Sequence, residues 1–204
     1  GVYERTDSFR FELLDRDENI IGDLNPEADR PPVITNNTSG ATPRSVSSFY
    51  LPAHEGTDVN TLSDRLRIWM RLQNGVEFSM GIFLWGNEDQ PQRSWGVERT
   101  SSLVDKMLIL NQGIQHTIGF GKGADIGLAV LFVALEVMAL DDIVIDAINA
   151  DLGASVAYTP GTSRRQVLDD FMGTIGFLPT HFDRDGKLRM VDTPDLTMVT
   201  PTIP

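Results

Sequence analysis

The chain has 204 residues, long enough for one large domain or two small ones, with the 41% hydrophobic and 23% charged content of a water-soluble globular protein. Its formal charge of −12 opposes the counterion release that drives tight nucleic-acid binding, though DNA could still pass close by without sticking. The absence of cysteine excludes disulfides, thiolate metal sites and thiol nucleophiles, and it suits assembly in a reducing compartment.

The opening GVYERTDSFRF has neither the basic start nor the apolar core of a signal peptide, and it lacks an initiator Met, so a processed or shortened N-terminus is expected. Phe9, Phe11 and Leu13 then alternate with polar residues, the two-residue period of a half-buried strand. Between this run and IIGDL, Asp15, Asp17 and Asn19 stand at alternate positions, as in a calcium loop. Such a loop needs Gly at its sixth position and Glu at its twelfth; here these are Ile20 and Pro26. A β-hairpin is expected instead, with a four-residue loop from Asp15 to Glu18 that pairs Leu13 with Ile20, Phe11 with Gly22 and Phe9 with Leu24. NPEADRPP ends the pairing, and VITNNTSGATPRSVSSFYLP holds two weak strands around a loop. The sequons at Asn36 and Asn37 carry little weight without a secretion signal.

RLRIWMRLQNGVEFSMGIFLWG, 65 to 86, is the clearest element. Leu66, Ile68, Met70 and Leu72 form one row, and Val76, Phe78, Met80, Ile82 and Leu84 another. A three-residue loop, Gln73-Asn74-Gly75, pairs Leu72 with Val76 and Met70 with Phe78, so the two rows coincide, with Gly75 in the left-handed position. On the opposite face Arg65, Arg67, Trp69 and Arg71 form a basic-aromatic stripe. It reads either as Arg stacked on Trp across neighbouring strands or as a protein interface.

From about residue 103 the pattern becomes helical. IGLAVLFVALEVMAL, 126 to 140, is too short to span a membrane and contains Glu136, so a buried core helix is expected within Ala124 to Leu140. A second helix is predicted over Asp141 to Leu152. In SRRQVLDDFMGTIG, Ser163 and Gln166 make a capping box. Val167, Leu168, Phe171, Met172 and Ile175 have helical spacing, and Gly176 suits the end of the helix. The final hairpin, HFDRDGKLRM, turns through Arg184-Asp185-Gly186, pairing Phe182 with Leu188 and Asp183 with Lys187. Counted from Asp183, the calcium positions are Leu188 and Pro194 and fail again.

No catalytic constellation emerges. His54, His116 and His181 have no ligand spacing. GFGKGAD, 119 to 125, lacks both phosphate-loop and dinucleotide patterns and reads as a flexible lead into a helix. Asp141-Asp142 and Asp169-Asp170 are helix neighbours that suit solvated faces or helix starts. The expected fold is α+β: a β-rich domain over 1–102, a small α+β domain over 103–191, and a Pro/Thr-rich linker over 192–204. No enzyme activity, cofactor or metal is expected.

SDRLRIWMRLQNGVEFSMGIFLWG is similar to a segment of actinobacteriophage minor tail proteins, in which an Asp-Arg strand leads through a Gly turn into a Gly-x-Phe strand, here Gly81-Ile82-Phe83. SLVDKMLIL, 102 to 110, and PGTSRRQVLDDFMGTIGFLPTHFDRDGKLRM resemble further segments of those proteins, in the same order. The resemblance implies the N-terminal part of a tail-tip, or baseplate, hub. Such hubs are trimers in which two tube-like β-barrels per subunit make a pseudo-sixfold ring joining the tail tube to the central tip or spike. The α+β unit would follow or interrupt the first barrel, and a second barrel would lie beyond Pro204. The implied partners are a second and third copy, tail tube proteins, and a tape measure or tip protein. DNA would pass without specific binding. The implied location is the virion, assembled in the host cytoplasm. A host-attachment or carbohydrate-binding module and a cell-wall hydrolase component are the rival readings.

Overall fold

A computed structural model describes residues 8–25, 32–36, 44–51, 59–89, 92–93, 96–97 and 99–193. His54, Asn37, the first seven residues and most of the 192–204 segment lie outside the described residues. The chain divides into two units, the first of residues 1–108 with 182–186, the second of 109–181 with 187–204.

In the first unit the alternation of apolar and polar residues produces strands β1 (Ser8–Leu14), β2 (Ile20–Leu24), β3 (Val33–Asn36), β4 (Arg44–Leu51), β5 (Arg65–Arg71) and β6 (Glu77–Asp89). The short pair β7 (Gln92–Arg93) and β8 (Gly96–Val97) follows, then β9 (Arg99–Asp105). Seven of these form one antiparallel sheet in the order β2-β1-β5-β6-β9-β4-β3. Its two end strands make it an open sheet among the described residues. Phe11, Leu13, Leu66, Ile68, Phe83, Trp85, Val46, Phe49 and Leu103 make the core on one face. Phe49 is its centre, edge-on to Phe11 at 5.3 Å and to Trp85 at 5.9 Å, the geometry that ring quadrupoles favour. Burial of each such side chain stabilises the fold by about 1.5–3 kcal/mol.

Two hairpins depart from the expected register. In the first, Leu14 rather than Leu13 faces Ile20, Leu13 faces Gly22 and Phe11 faces Leu24, with a bulge between Leu13 and Leu14. The Asp15 carboxylate accepts from Asp17 N and Asn19 N, each at 2.9 Å, and from the Asn19 side chain at 3.0 Å. That cap closes the chain between Asp15 N and Asn19 O at 2.9 Å, with Glu18 at φ 66°, so the loop is one residue shorter than expected. In the second, Leu72 N bonds Val76 O at 2.9 Å, Met70 faces Phe78 and Gly75 has φ 82°, as the three-residue loop requires. Beyond it, however, the register slips at Ile68, which faces Gly81 instead of Met80, so Leu66 faces Phe83. The coincidence of apolar rows therefore ends at a bulge. Phe83 joins the core, and the fully buried Ile82 turns to the other face.

The second unit contains the end of α1 (Met107–Leu110), then β10 (Ile118–Phe120), α2 (Ile126–Leu135), β11 (Ile143–Ile145), β12 (Val156–Tyr158), α3 (Arg164–Ile175), the first residue of β13 (His181–Phe182) and all of β14 (Leu188–Met190). Its helices obey their sequence signals. Asp125 caps α2 by accepting from Leu128 N at 2.8 Å. Ser163 caps α3 by accepting from Gln166 N at 3.2 Å, and Gly176 ends it at φ 77°. Val167, Leu168, Phe171 and Met172 are buried along α3, and α2 packs on it. The helix expected over 141–152 does not form. A single 3₁₀ turn, Leu140–Asp142, leads into β11, whose β-branched Ile143, Val144 and Ile145 pair in parallel with Leu188, Arg189 and Met190.

Candidate functional site

The basic-aromatic stripe lies on β5 as expected, but β1 brings carboxylates against it. Arg67 faces Glu12 and Trp69 faces Arg10 in register. Trp69 Nε1 donates to Glu12 Oε2 at 2.7 Å, and the Arg10 guanidinium lies 5.4 Å from the Trp69 ring while pairing with Glu12 and, at 3.3 Å, with Glu77. Arg65 pairs with Glu18, and Arg67 approaches Glu12 at 3.7 Å. Arg71, opposite Glu77, is exposed. The stripe is thus a face on which Glu12, Glu18 and Glu77 stand among Arg10, Arg65, Arg67 and Arg71 and offset much of their charge. Burial is the largest single influence on Glu12 and raises its carboxyl. The hydrogen bonds from Trp69 and Arg10, with the charges of Arg10 and Arg67, outweigh it and hold the group below the ordinary carboxylate range.

A second cluster in the first unit escaped the sequence reading. The bulge at Met80-Gly81 turns the Met80 carbonyl toward Arg44, whose Nη1 donates to it at 2.9 Å. Gly81 has φ 124°, and a Cβ there would stand 2.5 Å from Arg44 Nη1. Arg44 Nε donates to Asp105 Oδ2 at 2.8 Å, and its Nη2 donates to the carbonyls of Phe182 and Asp183 at 3.1 and 3.3 Å. Asp105 is 1% exposed, and its other oxygen accepts from Met107 N at 2.7 Å. Lys106, 2% exposed, donates to Glu18 Oε1 at 2.5 Å and to Gly186 O at 2.7 Å, with the Phe182 ring 5.3 Å from its Nζ. Ser79 Oγ donates to Arg184 O at 2.6 Å. Four carbonyls of the 182–186 tip are therefore held by three donors, the buried Ser79 and Lys106 and the partly buried Arg44, and Gly186 lies against Ile82, where an added Cβ would come within 2.8 Å. Every buried charge in this network has an opposite charge or carbonyl partner, the condition under which buried ions are tolerated. The adjacent charges of Asp105-Lys106 inside an apolar run were the available signal. Nothing local marks Arg44.

The remaining candidates are not brought together. His116 is exposed, and His181 Nδ1 lies 3.0 Å from Pro179 O. Among the described residues no three His, Asp or Glu side chains are placed to hold a metal. GFGKGAD forms the end of β10 and a turn, with Gly123 at φ 80°, leading into the α2 cap. The Asp169-Asp170 pair does more than face solvent. Asp169 Oδ1 accepts from Thr180 N at 2.8 Å and Thr180 Oγ1 at 2.5 Å. Burial, followed by the charge and hydrogen bond of Asp170, pushes the Tyr158 hydroxyl up to about 12.

No family model matches this chain, and no curated protein does. Solved structures do. A tail protein from Neisseria meningitidis MC58 superposes with a TM-score of 0.56 at 14% identity, over 90% of this chain and 50% of its own. The 43 kDa tail protein of prophage MuSo2 from Shewanella oneidensis gives 0.56 at 9% identity, over 89% and 52%. A lidless PdpA–VgrG complex gives 0.52 at 15%, over 95% and 36%. The chain therefore shares the fold of these tail proteins, and it spans about half the length of the first two.

Proposed function

We propose that this chain is a structural component of a phage tail, acting at the tail tip as part of a trimeric hub that joins the tail tube to the central tip and lets DNA pass. The observation that carries the reading is the fold shared with two tail proteins over about nine-tenths of this chain. Two features support it further. Among the described residues the end strands β2 and β3 each pair on one side, which leaves sheet edges for pairing with other copies or with tube proteins and so for completing a barrel. The charge of −12 suits a passage through which a polyanion slides without binding. In this reading the Arg65, Arg67, Trp69 and Arg71 face, with Arg71 outermost, is a contact surface within the virion, and the role needs no cofactor or catalytic step.

The test is the solution mass of the chain by light scattering over a concentration series. A trimer at the higher concentrations supports the hub. A monomer throughout counts against it.

A further inference from the structure

The helix α2 reads IGLAVLFVAL, ten residues without one polar side chain. A helix apolar on all sides is expected to be covered on all sides. Ile126, Ala129, Val130, Val133 and Ala134 are covered, and the helix packs there on α3. The opposite face is not. Leu128 is 68% exposed, Phe132 54% and Leu135 45%, at the i, i+4, i+7 spacing of one helical stripe, with Leu131 half-buried beside them. Phe132 meets Phe120 edge-on at 6.2 Å, which continues the stripe onto β10, and Leu140 beyond the helix is 60% exposed. Together the exposed parts of these side chains make roughly 400 Å², the size of the largest patches that monomers carry for function.

Charge selects the occupant. Across residues 118–142 one lysine, Lys122, stands against four carboxylates, Asp125, Glu136, Asp141 and Asp142, of which Glu136 is already paired with Arg164 at 3.0 Å. A second copy laid on this stripe would set those carboxylates against their own kind. The patch is also about half the area per partner of an ordinary stable dimer interface. A helix of another protein, apolar on one side and lysine- or arginine-rich on the flanks, meets both constraints. We infer that the Leu128–Phe132–Leu135 face of α2 is a docking surface for a short basic amphipathic helix of a different protein. The inference goes beyond the tail-tip reading and does not depend on it.

The test uses the full chain and a fluorescent synthetic helical peptide with leucines at i, i+4 and i+7 and lysines elsewhere. Two controls accompany it, one with the lysines replaced by glutamates and one with the leucines replaced by serines. The expected result is saturable binding of the Leu/Lys peptide, at least tenfold weaker for each control and for the double variant Leu128→Ser/Phe132→Ser, whose circular dichroism should stay close to the parent's because Leu128 is mostly exposed and Phe132 gives up only its edge contact with Phe120. Three results would overturn the inference. One is no binding. Another is binding that the double variant leaves intact, which would reduce it to attraction between net charges. The third is self-association of the parent chain that the double variant abolishes, which would assign the face to a second copy.

Discussion

Replacing Arg44, whose side chain is 15% exposed, with methionine keeps much of the side-chain volume but removes the guanidinium bonded to Asp105, Met80 O, Phe182 O and Asp183 O. Asp105, at 1% exposure, is left charged with one backbone donor, and three carbonyls lose theirs. Breaking a buried ion pair from one side costs about 3–5 kcal/mol. With a urea dependence of about 1.5 kcal/mol per molar, that lowers the unfolding midpoint by ~2–3 M. Because Trp69 and Trp85, the tryptophans among the described residues, belong to the first unit, tryptophan fluorescence reports on this unit. The double variant Arg44→Met/Asp105→Asn removes the stranded charge and should be milder than Arg44→Met by at least ~1 kcal/mol, since an unpaired buried charge is worse than an unpaired buried amide. A midpoint shift below ~0.5 M for Arg44→Met, or a double variant no milder than the single, would refute the claim that this network holds the fold of the first unit.

Gly81→Ala should destabilise the same unit by about 2–3 kcal/mol, because φ 124° is a glycine conformation and the new methyl meets Arg44; urea unfolding checks it. Glu12 has its folded pKa below the unfolded value, so the stability it contributes is present above about pH 4.5 and is lost as pH falls through the folded value. Glu12→Gln should therefore flatten the acid limb of the stability curve for the first unit. Tyr158 behaves in the opposite sense: with its folded pKa raised to about 12, its contribution is complete below about pH 10 and is lost as pH rises from there toward 12. Ultraviolet titration should show a late phenolate that Tyr158→Phe removes and Asp170→Asn moves down. Ser163→Ala should cost about 1 kcal/mol in the second unit, read by circular dichroism at 222 nm.

What was legible in the sequence was local. The capping Ser163, the terminal Gly176 and the buried stripe of α3 depend on residues within a few positions of one another, and so does the Gly75 loop. Registers failed where a distant or side-chain partner intervenes. The first hairpin is reset by the Asp15 carboxylate, and the second by a bulge whose carbonyl is taken by Arg44, 36 residues earlier in the chain. Asp141 to Leu152 has plausible helix chemistry, but Ile143 to Ile145 find parallel partners 45 residues away, and a parallel pairing leaves no turn signal. The basic stripe was visible by alternation on β5. Its neutralisation was not, because Glu12 and Glu18 reach it only through the pairing of β1 with β5 and the turn before β2. Arg44 could not be picked out from a Thr-Pro-Arg-Ser loop edge, since its partners come from β6, β9 and the 182–186 tip.

The most direct test of the central claim is immunogold electron microscopy of the particles that carry this chain, with antibodies against the purified protein. The account predicts gold at one end of a tail, at the tip. Label confined to capsids, or to soluble protein with no particle marked, would contradict it.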